Sequence, residues 1–63
     1  MDYVSEFKQY LHNPDDETLL LEVFELSMTY GLESQVLNTL HKHLGDGVWM
    51  RDALIRTIVE WDL

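Results

Sequence analysis

The chain has 63 residues, of which 46% are hydrophobic and none is cysteine, and its twelve acidic and four basic residues give a net charge of −8. This length allows a single domain, residues 1–63, and the lack of cysteine excludes disulfides, thiolate metal sites and a cysteine nucleophile. Because affinity for a phosphate backbone depends on clustered lysine and arginine, the charge argues against direct binding of nucleic acid.

The first predicted helix covers residues 2–12, where aromatic and aliphatic side chains recur at three- and four-residue intervals. Asn13-Pro14 ends it, since the residue before proline avoids the α conformation. The same dipeptide starts helix 2, predicted at 14–30, with Asn13 as N-cap and three acids in the first turn, where the helix dipole favours negative charge. Gly31 is predicted to end this helix in a left-handed conformation.

Helix 3 is predicted at 33–44, with Gly45 as its C-terminal cap, and helix 4 at 48–61. On helix 4, Ile55 and Val59 widen the apolar row. Helix 2 is apolar around most of its circumference, apart from a polar stripe of Thr18, Glu22, Glu25 and Thr29. Such a helix needs neighbours on most sides. The sequence therefore predicts an all-α bundle of four short helices with helix 2 in the centre, or one in which a second copy of the chain covers part of helix 2.

Residue types with catalytic or metal-binding chemistry form no recognised pattern here. His41 and His43 are two positions apart, which on a helix separates them by about 200°, and His12 belongs to another element. The acids at 15–17 lack the ligand spacing of a calcium loop, and no serine has the setting of a nucleophile. We therefore expect no metal, no cofactor and no enzymatic activity.

The acidic residues and one tryptophan are the candidates for contact with a partner. Trp49 follows a glycine-rich turn and lies off the apolar row of helix 4, so it belongs either to the edge of the core or to an interface. The predicted partner-binding residues are Asp15, Asp16, Glu17, Glu22, Glu25, Glu33 and Trp49.

The segment FELSMTYGLESQVLNTLHKHL and the closing IVEWDL resemble small proteins of T4-like phages of marine cyanobacteria, over residues 20–63. The matching positions are Thr29, Tyr30, Gly31, Leu32 and Glu33, followed by Glu60 and Trp61. The function of that group is uncharacterised, so the resemblance implies a phage-encoded protein and assigns no site residue.

Two functional hypotheses follow. The first is a non-enzymatic acidic protein that binds a basic protein partner, such as a nucleic-acid-handling protein, as a regulator or inhibitor; its sharpest form is mimicry of a nucleic-acid backbone. The second is a self-associating structural module, most simply a homodimer. The N-terminus MDYVSEFKQY lacks the pattern of a signal peptide, and no apolar run approaches the roughly 20 residues of a membrane span. We therefore expect a location in the cytoplasm, that of a host bacterium if the gene is a phage gene, and no contact with membranes.

Overall fold

The structure, a computed structural model, describes residues 3–63, and within that range it contains helices and no strand. The α-helices in chain order are α1 (Tyr3–Glu6), α2 (Pro14–Thr29), α3 (Glu33–Gly45) and α4 (Met50–Trp61), with a 3₁₀ helix (Lys8–Tyr10) after α1. The prediction of a small all-α bundle is confirmed. Helix α2 contacts each of the other three α-helices, as its predicted central place requires.

The first segment differs from the predicted helix 2–12, whose first residue, Asp2, lies outside the described residues. The chain leaves the α conformation at Phe7, which has φ −106° and ψ 12° and is fully buried. The ring of Tyr3 stacks on that of Phe24 in α2, with centroids 3.9 Å apart. A helix this short has little stability of its own. Packing of Tyr3 and Phe7 therefore decides the backbone path.

The start of α2 follows the predicted chemistry. Asn13 has the extended backbone of an N-cap, and its side-chain oxygen accepts a hydrogen bond from the backbone N–H of Asp16 at 3.0 Å. At the other end Gly31 has φ +69°, and the N–H of Leu32 donates to the carbonyl of Ser27 at 2.8 Å. This is the Schellman arrangement, in which a left-handed residue satisfies the last carbonyls of a helix.

The turn between α3 and α4 uses the second of its two glycines, so the prediction of Gly45 as the cap is wrong. Gly45 is still helical, and the left-handed residue is Gly47, with φ +87°. The N–H groups of Gly47 and Val48 donate to the carbonyls of Leu44 and His43, both at 3.1 Å. This longer turn delays the start of α4 from 48 to Met50.

The core lies where one side of each long helix meets the others. Its buried hydrophobic residues are Phe7, Leu20, Val23, Phe24, Val36, Leu40, Leu44, Met50, Ala53 and Leu54. In this chain α2 is covered along one side only, so the expectation that neighbours in the same chain surround most of it is wrong. The exposed large hydrophobic residues of α2, its C-cap and α4 are Leu21, Leu26, Met28, Tyr30, Ile55 and Val59. Three short neighbours are too few to enclose a 16-residue helix, and α4 turns the widened part of its row to solvent.

Candidate interaction surface

The exposed side of α2 carries a straight row of polar residues, which we call the acidic row: Asp15, Thr18, Glu22, Glu25 and Thr29. Their spacing of three, four, three and four residues keeps them on one line along a helix. The two threonine hydroxyls donate to carbonyls of α2 itself, those of Pro14 and Glu25. Within residues 3–63 the three carboxylates form no ion pair. The row therefore offers hydrogen-bond acceptors and negative charge.

Exposed apolar side chains border the acidic row on both sides. At about 100° per residue, Leu21 and Met28 lie along one edge and Leu26 and Tyr30 along the other. A shallow open depression of about 290 Å³ lies on the row itself, lined by Glu22, Glu25, Leu26 and Thr29. Sequence reasoning missed these apolar borders because it assigned the same side chains to the core. The available signal was the small number of neighbours in so short a chain.

Asp16 does not belong to this surface, although it lies beside Asp15 in the sequence. Its side chain is buried, and its Oδ1 accepts a hydrogen bond from Nε of Arg51 in α4 at 3.1 Å. Its Oδ2 accepts a second hydrogen bond from Nδ2 of Asn13 at 3.2 Å. The acid is held inside the molecule, where it joins the first turn of α2 to the first turn of α4.

Two further predicted residues are exposed but lie away from the acidic row. Glu17 lies one turn before Leu21, beside the Leu21–Met28 border and about 120° around α2 from the middle of the acidic row. Glu33 is the first residue of α3, beyond the turn at Gly31. The structure therefore places Asp15, Glu22 and Glu25 in one row, with Glu17 beside its apolar border and Glu33 on another helix.

Trp49 is 70% exposed, so it does not belong to the edge of the core, and its role in an interface stays a prediction. Its ring meets that of His12 edge-on, with centroids 5.6 Å apart. Both line an open cleft of about 190 Å³, whose other walls are Tyr10, Leu44, Gly47, Val48 and Met50. Since Arg51 ties this end of α4 to Asp16, Trp49 lies at the Asp15 end of the molecule.

The histidines are distributed over separate contacts. Nε2 of His41 lies 3.1 Å from a carboxylate oxygen of Glu6, and Nε2 of His43 lies 3.4 Å from one of Glu60. His12 contacts Trp49. Among residues 3–63, no group of three or more histidine, cysteine, aspartate or glutamate side chains is close enough to hold a metal ion.

No helix in the described part of the chain has both the length and the apolar character needed to cross a membrane. In comparisons with known proteins, no family model, no curated protein and no solved structure matches this chain.

Proposed function

We propose that this chain is a non-enzymatic interaction protein whose α2 face docks on a basic protein partner and regulates or inhibits it. The observation that carries the proposal is the combination on α2 of three carboxylates without an ion pair and exposed leucine and methionine on both sides of them. A face that serves solubility alone needs charge and gains nothing from apolar borders. A protein partner with lysine or arginine between apolar side chains complements both features.

Mimicry of a nucleic acid is the weaker form of this proposal, because the acidic row has too few negative charges per unit length. Asp15 and Glu25 are ten residues apart, so three carboxylates share about 15 Å of helix. Duplex DNA carries about nine negative charges over the same length. The apolar borders also have no counterpart in a phosphate backbone. We therefore favour a partner that is recognised as a protein surface, in a bacterial cytoplasm if the phage resemblance holds.

The test is affinity capture from a lysate of phage-infected cyanobacteria with three baits. They are the unaltered chain, Glu22→Lys/Glu25→Lys, and Asp46→Lys/Asp62→Lys as a control with the same charge change. Both control positions are exposed and lie at helix C-termini, where lysine is compatible with the helix dipole. We expect a basic protein that the unaltered chain and the control retain, that the α2 variant binds at least tenfold more weakly, and that salt releases.

A fourth bait tests the apolar borders without changing the charge. Leu21→Gln/Met28→Gln leaves the carboxylates in place, and we expect it to weaken capture of the same protein as well. Capture that is indifferent to the α2 substitutions, or that both charge-altered baits lose equally, would show that net charge rather than this face determines binding. A circular-dichroism spectrum of each bait verifies that it is folded.

A further inference from the structure

A second surface, on α4, has a different character from the acidic row. Ile55 and Val59 are one helical turn apart and exposed, Val59 to 75%. Asp52 and Arg56, also one turn apart and exposed, lie beside them along one edge of this apolar pair. Within residues 3–63 neither Asp52 nor Arg56 forms a salt bridge, although they have opposite charges. The outer side of α4 therefore presents an apolar centre with one unpaired acid and one unpaired base on the same edge.

The charge of α4 sets it apart from α2 and the N-terminal segment, which carry most of the negative charge. Residues 50–61 contain two arginines and two acids, a net charge of zero, so the other residues carry the whole charge of −8. Two copies of such a chain repel each other through most orientations. The repulsion is smallest where α3 or α4 faces its own copy, because α3 is also net neutral, and of these two helices only α4 has exposed large hydrophobic side chains. A contact between copies is therefore most favourable on this side of the molecule.

The arrangement of Asp52 and Arg56 complements its own copy. When two identical helices pack antiparallel about a two-fold axis, each edge of one helix lies against the same edge of the other. With Ile55 near the axis, Asp52 falls opposite the partner's Arg56, and Arg56 opposite the partner's Asp52. Both ion pairs form together in this antiparallel arrangement. In a parallel arrangement Asp52 lies at the same height as the partner's Asp52, and neither ion pair forms.

We propose that a second copy of this chain docks on α4, in an antiparallel α4–α4 dimer whose two-fold axis passes beside Ile55, with two reciprocal Asp52–Arg56 ion pairs and Val59 within the apolar contact. The dimer is weak, since a stable interface buries about 800 Å² per partner, a fifth of the 4126 Å² that this chain exposes. One face of a helix about 18 Å long supplies less than that. We expect a dissociation constant on the order of 0.1 mM, as for small and transient interfaces.

The experiment is sedimentation equilibrium of the full chain up to millimolar concentration, in low and in high salt. We expect the average mass to rise from 7.5 kDa toward twice that value, and to rise further in high salt, because screening the overall repulsion outweighs weakening of the exposed ion pairs. Val59→Gln removes the most exposed apolar side chain of this face without a charge change and is expected to weaken the dimer at least fivefold. Leu21→Gln, on the exposed side of α2, is the matched control and is expected to leave the dissociation constant of the dimer unchanged.

Charge substitutions separate the ion pairs from net charge. Asp52→Arg makes the chain less negative and Arg56→Asp makes it more negative, so overall repulsion predicts opposite effects on the dimer. The reciprocal pairing predicts that both substitutions weaken it, and that the double substitution Asp52→Arg/Arg56→Asp restores it, since opposite charges face each other again. A circular-dichroism spectrum of each single variant verifies that it is folded.

A chain that stays monomeric at every concentration and salt would overturn the proposal, and so would a dimer that Leu21→Gln weakens and Val59→Gln does not. The outcome is independent of the proposed α2 function. We expect Glu22→Lys/Glu25→Lys to weaken docking to the basic partner at least tenfold, whereas it reduces the net negative charge from −8 to −4 and therefore preserves or tightens the α4 dimer.

Discussion

The contact between Asp16 and Arg51 provides the sharpest test of how this small bundle is held together. The carboxylate is 9% exposed and the arginine side chain 53% exposed, and the two residues are 35 positions apart in the chain. Asp16 also completes a reciprocal cap with Asn13, whose side chain both accepts from and donates to it. Replacement of Asp16 by alanine removes all the hydrogen bonds that its carboxylate accepts.

The expected loss of unfolding free energy for Asp16→Ala is about 2 kcal/mol. The Arg51 contact contributes about 0.5–1 kcal/mol, because solvent screens an arginine that is half exposed. The negative charge at the third helical position contributes about 0.3–1 kcal/mol through the helix dipole. The hydrogen bond from Asn13 adds roughly 0.5 kcal/mol. In a domain of this size, 2 kcal/mol corresponds to a decrease in melting temperature of about 8–16 °C.

Thermal and urea unfolding followed by circular dichroism measure this loss. Asp15→Ala is the matched control, since Asp15 lies in the same first turn but is exposed and has no ion pair within the described range. It is expected to lower stability by about 0.3–1 kcal/mol, the dipole contribution alone. A double-mutant cycle with Arg51→Ala should yield a coupling of about 0.5–1 kcal/mol. Equal effects of Asp15→Ala and Asp16→Ala, or strict additivity with Arg51→Ala, would refute the reasoning.

The remaining predictions concern helix ends, and the same unfolding measurements check them. Gly47→Ala should destabilise the domain by about 1–2 kcal/mol, because φ is +87° there and a Cβ strains a left-handed backbone. Gly45→Ala should stabilise it by about 0.5–1 kcal/mol, since Gly45 is helical and a Cβ meets nothing within 4 Å. Equal effects at the two glycines would contradict the assigned turn. Asp62→Gly should stabilise by about 0.5 kcal/mol, because Asp62 has φ +53° at the end of α4, and a loss of stability would show that its side chain has a role of its own.

The positions of the long helices could be predicted from sequence because their end signals act locally. Asn13-Pro14 fixes the start of α2 through the cap and the restricted proline backbone, and Gly31 fixes its end through a left-handed residue. The sequence predicted Gly45 as the end of α3, whereas the left-handed residue is Gly47, the second glycine of the same turn. The choice between them depends on which carbonyls the following N–H groups reach, and the sequence pattern does not contain that information.

The candidate surface was only partly predictable for the same physical reason. Glu22 and Glu25 could be placed on an exposed stripe from their spacing, since a periodic polar row on an apolar helix turns to solvent. The burial of Asp16 could not be predicted from its spacing, because its partner Arg51 lies 35 residues later in the chain, in α4. Nor could the exposure of Leu21 and Met28, since an apolar side chain is compatible with either a core or a surface position until the number of covering neighbours is known.

The amino-acid sequence by itself determined the all-α class, the extent of the three longer helices to within two residues and the excess of negative charge, because helix periodicity, capping and charge are properties of neighbouring residues. Only the tertiary structure decided which side of α2 is buried, how the segment around Phe7 bends, and that Ile55 and Val59 of α4 are exposed. Those outcomes depend on the limited area that three short helices can cover, which is a property of the assembled molecule and of no single segment.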